Sequence, residues 1–193
     1  MIGVFVVTGH TVAWIELLAL WVLWFAPYVL LAPKVQKRES ITVTGPSRLG
    51  LLMEVAGIAM LWIFHVPDAP RTRAAILIAA LILGSIAFVQ MWTAISHLGR
   101  QFRIQAGLYH DHQLVRSGPY AIVRHPIYAS LLLMALVTGL LLTPWPWLLA
   151  AIAIHIAGTE IRVHTEEKLL ASRFGEEFAK YKRSVPAYVP LVR

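Results

Sequence analysis

The sequence predicts an all-α integral membrane protein with about five transmembrane helices, a cytoplasmic loop after the third, and an amphipathic helix near the C-terminus. Three observations predict it. Of the 193 residues, 58% are hydrophobic and only 14% charged. The apolar residues fall in blocks of membrane length instead of scattering as in a soluble core. Lys and Arg crowd a subset of the loops between those blocks. The chain, 1–193, reads as a single domain, with three helices in 1–96 and the candidate chemistry in 97–193.

The first apolar block, residues 11–32, is too long for the core of a secretory signal. It has no basic flank before it and ends in Pro33-Lys34 without a small-residue cleavage site, so a retained helix is expected. Further blocks span 49–64, 74–96, 127–142 and 147–158. Of these only 74–96 reaches the roughly 20 residues needed to cross about 30 Å of hydrocarbon, so the ends of the others are open. Thr143-Pro144-Trp145-Pro146 reads as the turn of a tight helical hairpin whose helices should pack on each other, with Trp145 and Trp147 at the outer interface. From about Thr159, Glu160, Arg162, Glu166, Glu167 and Lys168 against Ile161, Leu169, Leu170 and Phe174 predict an amphipathic helix leaving the membrane. Gly175 is a stop or kink, and Val185-Pro186-Ala187-Tyr188-Val189-Pro190, with prolines four apart, is extended.

Orientation follows from the basic residues. With an odd number of spans and the N-terminus outside, all of the 17 Lys and Arg except Arg71 and Arg73 face the cytoplasm. The net charge of +7 therefore belongs beside a negatively charged leaflet, with no nucleic-acid partner implied. The absence of cysteine excludes a disulfide framework, a thiolate metal site and a cysteine nucleophile. No Gly-x-Gly-x-x-Gly follows a candidate strand, so no Rossmann domain is expected.

One segment concentrates polar chemistry where a membrane span begins: Gly118-Pro119-Tyr120-Ala121-Ile122-Val123-Arg124-His125-Pro126-Ile127-Tyr128. Ionisable groups at the mouth of a membrane helix are costly to keep and so point to function, although His125-Pro126 alone could simply start a helix. Glu16 and Glu54 lie inside apolar blocks, where reaching the interface or pairing within the bundle is the expected role. His155 is expected to hydrogen-bond between packed helices. His110-Asp111-His112 has neither a second ligand cluster nor the spacing of two histidines on one helical face, so no metal site is expected.

Gln105, His112-Gln113-Leu114-Val115, Ser117-Gly118-Pro119-Tyr120, Arg124-His125-Pro126-Ile127-Tyr128, Arg162, Glu166-Glu167, Phe174-Gly175-Glu176-Glu177 and Tyr181 form a spaced set. Together they resemble the isoprenylcysteine carboxyl methyltransferases, over roughly residues 105–190. The resemblance implies a membrane enzyme that moves a methyl group from S-adenosylmethionine to the carboxylate of a lipid-like substrate entering from the bilayer. By matching position it implies that Gln105, His112, Leu114, Val115, Tyr120, His125, Pro126, Tyr128 and Glu166 line the cofactor pocket. It also implies that Arg162 faces the substrate carboxylate and that Glu167 shares the catalytic site with it.

The chemistry is compatible with that reading. A carboxylate with a pKa of about 4 is already ionised at neutral pH, so the task is positioning, and a planar guanidinium grips it through two parallel hydrogen bonds. Arg162 and Glu166 are four apart and share a helical face, although such a pair can also be a plain surface contact worth about 0.2–0.5 kcal/mol. The rivals are a phospholipid amine N-methyltransferase, which would want a carboxylate or tyrosine at the nitrogen; an NADPH-dependent sterol-type reductase using Arg116 and Arg124 for a phosphate; and a non-enzymatic membrane scaffold.

Overall fold

A computed structural model describes residues 8–31, 40–42, 45–103, 107–109 and 111–189. Six helices carry the fold: α1 (Gly9–Leu30), α2 (Gly45–Ile63), α3 (Ala74–Leu98), α4 (Pro126–Leu142), α5 (Trp145–Phe174) and α6 (Glu176–Ser184). Helices α1, α2 and α5, and α3 with the turn after it, are each long and apolar enough to cross a membrane. Two three-residue strands, β1 (Ser40–Thr42) and β2 (Gly107–Tyr109), pair antiparallel with Ser40 opposite Tyr109. This ribbon, which no periodicity in the sequence announces, ties the α1–α2 connection to the loop after α3.

The apolar blocks at 49–64 and 147–158 extend well beyond their hydropathic ends. Helix α2 begins at Gly45, and α5 runs 30 residues without a break. The fifth span and the amphipathic stretch from Thr159 are thus one helix. Its polar residues do not form one solvated side: Lys168 is exposed and Glu160 half-buried, but Arg162, Thr165 and Glu167 are buried, while Ile161, Leu169, Leu170 and Phe174 are only half-buried. A change in hydropathy marks what surrounds a helix, and nothing in the backbone at Thr159 requires it to end. Gly175, at φ 49°, does end it, since only a residue without Cβ enters that conformation cheaply, and α6 follows with Phe178 and Tyr181 as its buried face.

The hairpin of α4 and α5 is reduced to Thr143-Pro144 at its tip, with Pro146 already in the first turn of α5. Trp145 and Trp147 are exposed there, and the Trp147 ring stacks on Phe64 at 4.0 Å. The two helices of this hairpin pack mainly on other partners, α4 on α3 and α5 on α2. The reason is visible in the glycines of the α2–α5 crossing. A Cβ at Gly50 would stand 2.6 Å from the Gly158 carbonyl, and one at Gly57 would stand 2.7 Å from the Ala151 carbonyl, so the backbones approach more closely than any side chain permits.

The core joins Leu17, Leu20 and Trp24 of α1 to Ala87, Met91 and Ile95 of α3 and Met134, Val137 and Leu141 of α4. Two indoles of α1 donate to hydroxyls of α4, Trp21 Nε1 to Thr138 at 3.1 Å and Trp24 Nε1 to Ser130 at 3.2 Å. With 17 residues, α4 spans only about 25 Å. Arg71 reaches over its end, donating to the carbonyls of Leu140 at 2.6 Å and Thr143 at 2.8 Å, a cation at the negative end of the helix dipole.

Candidate active site

The polar segment ahead of α4 is shaped by its glycine and prolines. Gly118 has φ 58° and lies so close to the His97 ring that a Cβ would overlap it. The chain then makes a single 3-10 turn over Gly118–Ala121, and Pro126 opens α4. Three contacts pin this segment to the C-terminal region. The backbone N–H groups of Arg124 and His125 donate to the carbonyls of Pro186 (2.8 Å) and Ala187 (3.0 Å), and Tyr181 Oη donates to the Tyr120 carbonyl at 2.6 Å. The 185–189 stretch, non-helical as expected but bent at Val185 and over residues 187–189, is therefore a strap under the loop.

Burial pushes the Tyr181 hydroxyl up to about 12 and raises Tyr120 well above the ordinary tyrosine value, with the nearby Glu166 carboxylate adding to the second. Both remain neutral hydroxyl donors throughout the physiological range.

Above the strap lies a cavity of about 770 Å³. It is lined by His112, Leu114, Val115, Tyr120, His125, Pro126, Tyr128, Arg162 and Glu166, so the structure gathers these sequence-derived residues into one space. Gln105 lies outside the described residues, although Arg103 and Gly107 on either side of it line the cavity. Tyr128 Oη donates to Glu166 Oε1, and His125 Nδ1 stands 3.9 Å from Glu166 Oε2. The Arg162 guanidinium carbon lies 5.0 Å from the centre of the Tyr128 ring, within cation–π range.

Glu167 does not line the cavity. Its Oε1 accepts from Arg124 Nε at 3.0 Å and lies 3.2 Å from His125 Nε2, while Oε2 accepts from Lys182 Nζ at 2.6 Å. Arg124 also donates to the carbonyls of Lys182 and Val185. The expected neighbour of Arg162 is instead the centre of a clasp joining α5, the loop and α6. Adjacent residues on a helix point about 100° apart, and here that turn sends Glu166 into the cavity and Glu167 toward the loop and α6.

Several lining residues were not anticipated. Trp21, Trp24, Phe25 and Tyr28 of α1 and Leu51, Val55, Ile58 and Trp62 of α2 build an apolar limb, and Glu54 lines the same space. The aromatic spacing along α1 places those four rings on one helical face, a signal that was present in the sequence. Glu54, expected to pair within the bundle, does so: it is 1% exposed and bonded to Arg162 and Thr159. His155 is buried between α2 and α5, with Nδ1 3.3 Å from the Glu54 carbonyl. Among the described residues, no three His, Asp or Glu side chains gather to hold a metal ion.

Residues 76–172, half of the chain, match the isoprenylcysteine carboxyl methyltransferase (ICMT) family. Among curated proteins, the chain is 36% identical over 110 residues to a protein-S-isoprenylcysteine O-methyltransferase of Schizosaccharomyces pombe, covering 57% of this chain and 44% of that one. It is 34% identical over 115 residues to protein-S-isoprenylcysteine O-methyltransferase B of Arabidopsis thaliana, covering 58% and 56%. It is also 36% identical over 102 residues to the cobalt-zinc-cadmium resistance protein CzcN of Cupriavidus metallidurans, covering 52% and 42%. The chain thus spans about half the length of the curated relatives it matches. A helical membrane bundle with most of the spaced polar set meeting at one cavity, joined to a match over half its length, makes this chain a member of the isoprenylcysteine carboxyl methyltransferase family.

Proposed function

We propose that the protein is an S-adenosylmethionine-dependent methyltransferase that esterifies the carboxylate of a lipid-like acceptor, an S-prenylated cysteine by analogy with its relatives. One observation carries the reading. A single cavity runs from the polar set Glu166, Tyr128, His125 and Tyr120, past Arg162, into an apolar limb walled by Trp21, Phe25 and Val55. Its volume falls within the roughly 300–1,000 Å³ of small-molecule sites.

The residues present fit the donor. Gln101 Oε1, which lines the cavity, is a buried acceptor with no hydrogen-bond partner among the described residues, suited to an ammonium or ribose hydroxyl. Leu114, Val115, Leu169 and Leu170 offer apolar surface for an adenine, Glu166 an anion, and Tyr120 and Tyr128 aromatic faces for a sulfonium. When bound, the donor supplies an electrophilic methyl group. The chain's own residues orient and enclose: Arg162 aligns an acceptor oxygen, Tyr128 holds Glu166 in place, and the apolar walls exclude water, which together supply several kcal/mol of barrier reduction.

Two sides of this reading concern the membrane. The limb walls Phe25, Leu51 and Val55 are exposed residues of the membrane-spanning helices α1 and α2, which supports entry of the acceptor's chain from the bilayer. The distribution of Lys and Arg supports an N-terminus outside and a cytoplasmic site. The reductase alternative is weakened because Arg116 bonds Glu177 at 3.0 Å and Arg124 bonds Glu167, so the arginines it needs are already engaged.

The test is transfer of radiolabelled methyl from S-adenosylmethionine, in membranes containing the protein, to an N-acetyl-S-prenylcysteine. A methyl ester releases its label as volatile methanol on mild alkaline treatment. Label that resists alkali in the phospholipid fraction would replace this reading with amine methylation.

A further inference from the structure

Glu54 belongs to none of the motifs that point to the site, and it lies outside the 76–172 stretch that matches the family. Yet it is the most buried acid lining the cavity, at 1% exposure. Its Oε2 accepts from Arg162 Nη1 at 2.7 Å and its Oε1 from Thr159 Oγ1 at 2.9 Å, so both oxygens are committed to α5. Around it the backbones of α2 and α5 cross in close contact at Gly50, Gly57 and Gly158, which keeps Glu54 and Arg162 within reach of each other. The guanidinium that an acceptor carboxylate would need is therefore already shared with a carboxylate of the protein.

We propose that Glu54 is a positioning residue of the acceptor subsite: it competes with the acceptor carboxylate for Arg162, so that the charged acceptor is held scarcely more tightly than its neutral methyl ester. The inference rests on the carboxyl methyltransferase reading above and adds a determinant of its binding balance. A buried arginine with no counter-ion would bind a carboxylate with the full strength of a desolvated ion pair. That strength would be present in the ground state, where it blunts the nucleophile and raises the barrier without assisting the transition state.

With Glu54 in place, the acceptor arrives beside a second anion and takes only a share of the guanidinium. As an acceptor oxygen bonds the methyl carbon, the carbon–sulfur bond breaks and its electron pair stays on sulfur. No proton moves, and the acceptor passes from anion to neutral ester. The ester no longer competes, Arg162 returns fully to Glu54, and the product leaves.

The experiment uses the full chain in lipid nanodiscs, with an N-acetyl-S-prenylcysteine as acceptor and its methyl ester as inhibitor. For the wild type, the ester's inhibition constant should lie within about threefold of the acid's KM. In Glu54→Gln, KM for the acid should fall about tenfold and kcat should fall with it, while ester inhibition and S-adenosylhomocysteine affinity stay as in the wild type. A merely structural role would weaken acid and ester binding together, raising both constants.

An acid KM unchanged or raised in a Glu54→Gln protein that still binds S-adenosylhomocysteine normally overturns the proposal. So does a wild type preferring acid over ester by about a hundredfold, a result that needs no variant to fold. A wild type that transfers no methyl to the acid overturns the carboxylate reading itself, and this inference with it.

Discussion

Which acid answers to which base decides the roles of the charged residues. Glu166 faces the cavity and takes the Tyr128 hydroxyl; Glu167, one residue on, is spent on Arg124, His125 and Lys182; Glu54, from another helix, takes Arg162. Donor and acceptor functions should therefore separate by mutation. Glu166→Ala and His125→Ala are each expected to weaken S-adenosylmethionine binding by calorimetry at least tenfold, about 1.4 kcal/mol. Arg162→Ala should keep the donor's affinity but lose turnover by about a hundredfold or more. Unchanged donor affinity in both of the first two, as folded proteins, would remove the donor assignment; normal methylation by the third would contradict the grip on the acceptor.

Helices in this bundle are matched by their smallest residues. The α2–α5 crossing depends on Gly50, Gly57 and Gly158, and a Cβ at Gly158 would stand 2.5 Å from the Gly50 carbonyl and 2.9 Å from the Glu54 nitrogen. Gly158→Ala is expected to force the helices apart at a cost of about 1–3 kcal/mol, read as a lowered melting temperature in detergent. It should also reduce turnover, because the displaced backbone carries Glu54 and Arg162. Gly45→Ala, where a Cβ would meet nothing within 4 Å, is the control and should melt as the wild type. A Gly158→Ala protein as stable as that control would show that the crossing tolerates side chains. The single helix α5 makes the same argument in another way: its polar half stays in the bundle because α2 supplies a partner for Arg162, α4 one for Glu166, and the loop and α6 those of Glu167.

Across the whole molecule, only α3 and α4 among the spanning helices are neighbours both in sequence and in extensive packing. Helix α1 packs on α3 and α4, and α2 on α5 and α4; α1 and α2 meet through the stacked rings of Trp14 and Trp62 without a broad interface between them. The apolar limb of the cavity occupies the space this arrangement leaves, walled by Phe25 on one side and Leu51 and Val55 on the other. Val55→Trp should narrow that mouth and raise the acceptor's KM about tenfold or more, leaving donor affinity unchanged, as measured by the radiolabel assay and calorimetry. An unaltered KM would mean that the acceptor's chain lies elsewhere.

By itself the sequence determined the membrane character and the positions of five apolar segments, and its resemblance to a family named the donor-site candidates from Gln105 to Glu166. The first two rest on hydropathy and the third on matched motifs, which survive whatever the helices pack against. Only the tertiary structure decided that Glu54 holds Arg162, that Glu167 turns to the clasp and that α4 leans on α3 more than on its hairpin partner. In a membrane bundle, lipid-facing and helix-facing surfaces are equally apolar, so hydrophobicity carries little information about which face meets which neighbour. That choice falls to glycine contacts and buried charges that meet across long stretches of chain, and no periodicity along the sequence records it.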